Sequence, residues 1–342
     1  MDAVLICPGR GTYNAGELGS LARSFPNKTL LAELDDLRAT AGQPTLSVLD
    51  GADTFDPARH TRGDNAAALI FAATYGDWLS IDTARVRIVA VTGNSMGWYS
   101  ALVAAGAASV SNGFRIANTM GQLMHKAAIG GQLVYPFMDE TWQPNLARKA
   151  ALLDLVAEID ERPGCALRLS IDLGGMLVLA GNAAGLAAFE GAVPRQMGRY
   201  PFRLLNHAAF HTDLQAPVAA RGQAVLGPEL FGQPNLPLID GRGGIWWPGA
   251  TSAAALRDYT LGPQVTQTYD FTRAIAIAAR EFAPDLFIVT GPGTTLGGAV
   301  AQSLILADWR GMGSKEDFQA RQTEEPVVAA MGRADQRALV AL

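Results

Sequence analysis

The chain has 342 residues, enough to bury a large core, and its 49% hydrophobic and 17% charged residues exclude a disordered polymer. A net charge of −5 argues against general nucleic-acid binding, and no apolar run approaches the roughly 18 residues of a membrane span. The opening MDAVLICPGRG, with an acid at position 2, does not read as a signal peptide, and Cys7 and Cys165 lack metal-ligand spacing and suit a reducing compartment. These features lead us to expect a cytoplasmic α/β protein that binds neither nucleic acid nor membrane.

Residues 4–7 read as a short buried strand, followed by Pro8-Gly9-Arg10-Gly11-Thr12, whose glycines let backbone amides face a ligand. The loop lacks the G-x-x-x-x-G-K-S/T of a phosphate cradle. Apolar spacing predicts helix over most of 18–41, a polar loop over 50–63 and an alanine-rich helix over 65–79. Next comes the stretch that organises the chain. A β-branched run, 88–91, leads into Gly93-Asn94-Ser95-Met96-Gly97 and then an alanine-rich helix. G-x-S-x-G between strand and helix is a sharp turn that thrusts the serine hydroxyl out at the carboxyl end of a sheet. The next residue, Met96, opens the helix, so its backbone N–H is free to bind an oxyanion.

Ser111-Asn112 reads as the cap of a helix reaching about 127. From there the pattern is strand 132–138, helix 146–159, a strand pair within 166–180 turning at Gly174-Gly175, helix 183–193 and strand 200–205. This β-α-β-β-α-β order is that of a ferredoxin-like unit. We therefore expect a large α/β-hydrolase-like domain with a parallel sheet (1–127 and 207–342) interrupted by a ferredoxin-like α+β subdomain (128–206). The large domain then continues with helix 214–226, strand 236–240, helix 271–282, strand 285–290, the tight loop Gly291-Pro292-Gly293, and a polar stretch after 308 ending in helix.

A serine hydroxyl needs a neighbouring base to act as a nucleophile. Of the four histidines, His60 sits in a polar loop, and His125 sits late in a helix where a cation suits the dipole. His207 and His211, in HAAFHT at the return between the two units, are the candidates. Phe210 beside His211 suggests an apolar wall and favours it, while Asp213 is a possible orienting group.

CPGRG, GNSMG, GQLM, AAFHT and TGPG occur here in that order. Together with the inserted unit, over residues 3–305, they resemble the malonyl-CoA:acyl carrier protein transacylase family, the acyltransferases of fatty acid and polyketide synthesis. The resemblance implies that Ser95 is the nucleophile and His211 its base. It also implies that the main-chain carbonyl of Gln264 orients the histidine, and that the backbone amides of Arg10 and Met96 form the oxyanion hole. The implied substrates of a ping-pong acyl transfer are acyl-CoA and the phosphopantetheine thiol of an acyl carrier protein, with no bound cofactor and no metal.

Departures from the family pattern are informative. Asn94 stands for a histidine and Trp98 for a glutamate, both read as shaping the entrance. Met120 stands where the family has the arginine that pairs with the malonyl carboxylate. A charged hydrogen bond contributes about 1.5–3 kcal/mol, and a thioether cannot supply it. We therefore expect an acyl pocket lined by Met120 and Phe210 that prefers neutral acyl groups, unless the Arg10 side chain reaches the carboxylate instead. Met120 reads equally well as a core residue at helical spacing. A carrier-protein thioester hydrolase and a non-catalytic carrier-protein scaffold are the alternative functions.

Overall fold

The computed structural model describes residues 1–341. Its strands in chain order are β1 (Asp2–Cys7), β2 (Arg87–Gly93), β3 (Gly131–Pro136), β4 (Leu167–Leu173), β5 (Met176–Gly181) and β6 (Phe202–Arg203), then β7 (Leu238–Ile239), β8 (Ile245–Trp246), β9 (Tyr269–Asp270), β10 (Leu286–Val289) and β11 (Val328–Ala330). The apolar run at the start becomes β1, which lies inside a six-stranded sheet of order β11-β10-β1-β2-β7-β8. All pairs are parallel except β7–β8, which closes one edge as a hairpin. Residues 3–7 of β1 are fully buried, as a central parallel strand requires.

A second sheet has the order β6-β3-β5-β4-β9. Its first four strands, with helices Leu146–Asp160 and Ala183–Ala192 in the connections, are antiparallel and follow the β-α-β-β-α-β order read from the sequence. The fifth strand is a finding. Tyr269–Asp270, from the carboxyl-terminal part of the chain, pairs in parallel with β4 and ties the second sheet to the first unit.

Several expectations are corrected. The helix over 18–41 is two helices, Ser20–Ser24 and Lys28–Thr40. Pro26 cannot continue the first, and Asn27 caps the second by accepting from the Leu30 N–H at 3.0 Å. The helix expected from Ser111-Asn112 starts earlier, at Val110, with Ser109 as its cap. Strand β11 emerges within the polar stretch after 308. His60 is not a surface residue. It is 1% exposed, stacks on Phe55 with ring centroids 4.9 Å apart, and its Nε2 bonds to the Leu49 carbonyl at 3.0 Å.

Close helix packing positions the residues around the 93–97 turn. Helices Gly63–Ser80 and Val110–Ala127 cross so closely that a Cβ on Gly121 would lie 2.6 Å from the Gly63 carbonyl oxygen. Helix Gly97–Ala104, which follows β2, is wholly buried. Among the described residues no helix is long and apolar enough to cross a membrane, and no cluster of three or more His, Cys, Asp or Glu side chains is placed to hold a metal.

Candidate active site

The turn after β2 packs glycine against backbone on both sides of Ser95. A Cβ on Gly93 would lie 2.4 Å from the Gly97 carbonyl carbon, and one on Gly97 would lie 2.0 Å from the Cys7 carbonyl oxygen. Between them Ser95 has φ +56°, a left-handed conformation that costs an L-residue roughly 1–2 kcal/mol. The strain is the local signature of a serine held out from the sheet. The loop after β1 comes equally close, since a Cβ on Gly9 would meet the Asn94 carbonyl oxygen at 2.5 Å. Arg10 is thereby brought beside the elbow. Among the described residues, neither the Arg10 nor the Met96 backbone N–H donates a hydrogen bond within the protein, so both are free to bind an oxyanion.

His211 meets the serine, with its Nε2 2.7 Å from Ser95 Oγ. Its Nδ1 lies 2.7 Å from the Gln264 carbonyl oxygen, which can only accept, so Nδ1 carries the proton and Nε2 bears the lone pair that faces Ser95. The side chain of Gln264 closes the circuit. Its Nε2 donates to the Ser95 carbonyl at 3.0 Å, and its Oε1 accepts from Tyr99 at 3.3 Å. Tyr269 leans on the His211 ring with centroids 5.4 Å apart and donates its hydroxyl to the Gly93 carbonyl at 2.6 Å. Sequence reasoning missed Tyr99 and Tyr269, which carry no motif and act only through these contacts.

Asp213 plays no part in orienting the histidine. Its side chain is 68% exposed and faces Arg168 at 3.4 Å. His125 remains in the last turn of its helix. His207 is close by but does not replace His211: its Nδ1 bonds to Gln132 Oε1 at 2.8 Å.

Burial depresses the His211 pKa to about 4, against a smaller opposing effect of the Gln264 carbonyl. The ring is therefore neutral, and competent as a base, well below the usual histidine range. In single-turnover acylation, the half-maximal rate is expected near pH 4, and a half-point near 6.5 would show a solvated ring. The same burial weakens the fold as pH falls from 6.5 to 4, because the unfolded chain takes up a proton that the native ring refuses.

Two cavities adjoin Ser95. One, of about 410 Å³, lies between the loop after β1 and the second sheet, whose Val134, Ile171, Met176 and Val178 form an apolar wall; Arg199, Phe210 and His207 also line it. The other is about 20 Å³, room for little more than one water, and is bordered by Gly121, Met124, Tyr99 and Phe210. Arg10 borders both. Its Nη2 donates to the carbonyls of Thr61 at 2.8 Å and Asn206 at 2.9 Å, and its guanidinium sits 5.3 Å from the Phe210 ring centroid. Burial lowers the Arg10 pKa to about 10, which leaves it charged at neutral pH.

Two sequence expectations need correction. Met120 does not border either cavity. It is fully buried, and its sulfur lies where a Cβ on Gly222 would approach to 2.7 Å, so it packs against helix Ala216–Val225. The residues of its helix that face the small cavity are Gly121 and Met124. Trp98 does not shape the entrance either: it is fully buried and donates its indole N–H to Thr260 at 2.9 Å. Asn94 does border the large cavity.

No family model matches the chain. Over 306 residues it is 24% identical to the malonyl CoA-acyl carrier protein transacylase of Salmonella typhimurium, covering 86% of this chain and 90% of that protein. Over 239 residues it is 27% identical to the non-reducing polyketide synthase CTB1 of Cercospora nicotianae, covering 69% of this chain but only 10% of that much longer protein. The crystal structure of a malonyl-CoA:acyl carrier protein transacylase from Xanthomonas oryzae pv. oryzae superposes with a TM-score of 0.75 at 19% identity, covering 98% of this chain and 96% of that one. The resemblance carried by the five motifs thus extends to the fold, which is that of the malonyl-CoA:acyl carrier protein transacylases.

Proposed function

We propose that this chain is an acyltransferase that moves an acyl group from CoA to the phosphopantetheine thiol of an acyl carrier protein by way of an acyl-Ser95 intermediate. The observation that carries the reading is the chain Ser95 Oγ–His211 Nε2–Nδ1–Gln264 carbonyl, with both contacts at 2.7 Å, built on a strained serine. As Ser95 Oγ attacks the thioester carbonyl, its proton passes to His211 Nε2. The Arg10 and Met96 amides receive the negative charge on the carbonyl oxygen. Collapse breaks the carbon–sulfur bond, and the CoA sulfur leaves with the proton from His211. In the second half the pantetheine thiol gives its proton to the same nitrogen, attacks the ester, and returns Ser95 to the hydroxyl form. The likeness to the Salmonella protein, which is named for a carrier-protein substrate, supports the carrier protein as acceptor.

Neutral acyl groups are the preferred donors in this reading. The helix that would supply a cation presents Gly121 and Met124 to the small cavity instead, and Arg10 commits its Nη2 to two carbonyls and lies against an aromatic ring, its buried Nε being without a partner among the described residues. An unpaired carboxylate against the largely apolar lining of the small cavity is penalised, and Arg199, the other cation on the large cavity, is exposed to solvent. Intact-mass measurement after brief exposure to acetyl-, butyryl- and malonyl-CoA is expected to show malonyl as the weakest adduct, by about 10-fold or more. A malonyl adduct that dominates and is lost in Arg10→Met would overturn the preference and give Arg10 the carboxylate. Adding holo carrier protein to the acylated enzyme is expected to move the acyl group onto the carrier. Acyl loss at the same rate without carrier protein would instead identify a thioester hydrolase.

A further inference from the structure

Beyond the dyad, the large cavity contains one more imidazole, and its surroundings fix what it can do. His207 Nδ1 faces Gln132 Oε1 at 2.8 Å, Gln132 Nε2 faces Ser170 Oγ at 2.7 Å, and Ser170 Oγ faces the Phe210 carbonyl at 2.7 Å. The last group is a carbonyl and can only accept, so the Ser170 hydroxyl donates to it. The serine oxygen must then accept from the Gln132 amide NH2, which turns Gln132 Oε1 toward the histidine. An amide oxygen only accepts, so His207 Nδ1 carries the ring proton and Nε2 bears the lone pair. Gln132 and Ser170 are 2% and 0% exposed, so water does not compete for this chain. Burial and the charge of Arg10, which is bonded to the carbonyl of the preceding residue, both hold His207 in its neutral form.

The result is a fixed, neutral acceptor in a cavity that Ser95 also borders and whose second-sheet wall, Val134, Ile171, Met176 and Val178, is apolar. When an acyl chain fills that space and displaces water, Nε2 is satisfied only if the chain brings a donor. We propose that His207 is a specificity-determining residue whose Nε2 accepts a hydrogen bond from a hydroxyl on the acyl chain carried by Ser95, so that hydroxyacyl thioesters are favoured donors. This rests on the acyl-transfer reading of the Ser95 site. A cavity of about 410 Å³ holds a chain several times larger than acetyl, so the hydroxyl need not sit next to the thioester.

The experiment compares butyryl-CoA with 2-, 3- and 4-hydroxybutyryl-CoA, which share the same pantetheine and nucleotide, by following the Ser95 adduct by intact mass. At least one hydroxylated donor is expected to load about 2- to 12-fold faster than butyryl. His207→Phe is expected to bring that ratio to about one. Gln132→Met, which removes the acceptor that locks the ring, is expected to lower the ratio and to shift the His207 ring ¹⁵N signals from a pure Nδ1–H tautomer to a mixture. If no hydroxylated donor outruns butyryl in the wild-type protein, or if His207→Phe leaves the ratio intact, the assignment fails, the latter result placing Nε2 on the amides that all four donors share. Butyryl loading itself reports on the underlying reading. A protein that butyryl labels without hydroxyl preference loses only this inference, whereas one that no acyl-CoA labels loses the acyl-enzyme.

Discussion

Ser95→Ala is expected to show no adduct by intact mass with any acyl-CoA, because the hydroxyl in contact with His211 Nε2 is gone. His211→Ala should keep the hydroxyl but slow acylation by about 10²–10⁴-fold, the usual contribution of a positioned general base. The pair of results separates the two roles, since only the first removes the covalent site. The strained backbone adds a check that activity alone does not give. With φ at +56°, position 95 suits glycine better than alanine, so Ser95→Gly is expected to be inactive yet more stable than Ser95→Ala by about 1 kcal/mol. Equal melting temperatures for the two variants would mean that the elbow holds no strain.

Gly97→Ala is expected to cost both stability and rate. The added methyl would lie 2.0 Å from the Cys7 carbonyl oxygen and 2.8 Å from that of Pro8, and backbone atoms at the end of a central strand do not swing aside as a side chain does. The elbow helix must back away from β1, at about 3 kcal/mol, which lowers the melting temperature of a chain of 342 residues by roughly 4 °C. Displacement of the Met96 amide by about 1 Å would slow acylation by on the order of 10²-fold. Gly16→Ala is the control: a Cβ there meets nothing within 4 Å, and neither property should move. Wild-type melting and loading in Gly97→Ala would show that the elbow does not need this close approach.

The parts of this molecule that could be read from sequence are those in which chemistry is local. Gly93, Ser95 and Gly97 fall within five consecutive residues, and their steric role follows from spacing alone. The order of strands and helices in 131–203 was legible because most of these elements are long enough to show their period. Strands β9 and β11 were not, since two or three residues carry no periodicity and their pairing is decided by distant partners. Met120 failed for a different reason. A helical residue chooses its neighbours by the azimuth at which its helix packs, and the tight crossing at Gly63 and Gly121 turns that residue toward Gly222. His60 misled because a polar stretch of sequence says little about whether one ring in it is covered.

Strand β1 is flanked by β2, some 85 residues later, and by β10, some 285 residues later, with the Ala3–Leu286 pair at one end of the contact. During synthesis β1 therefore keeps an open edge until β10, some 285 residues later, has been made. Ser95 likewise waits for His211 and Gln264. Such a topology folds late and as a unit, and leaves the nascent chain dependent on whatever shields unpaired strands in the cell. In the acyl-transfer reading, a partly made polypeptide therefore carries an unactivated serine, and reactivity toward thioesters switches on only once His211 and Gln264 have docked.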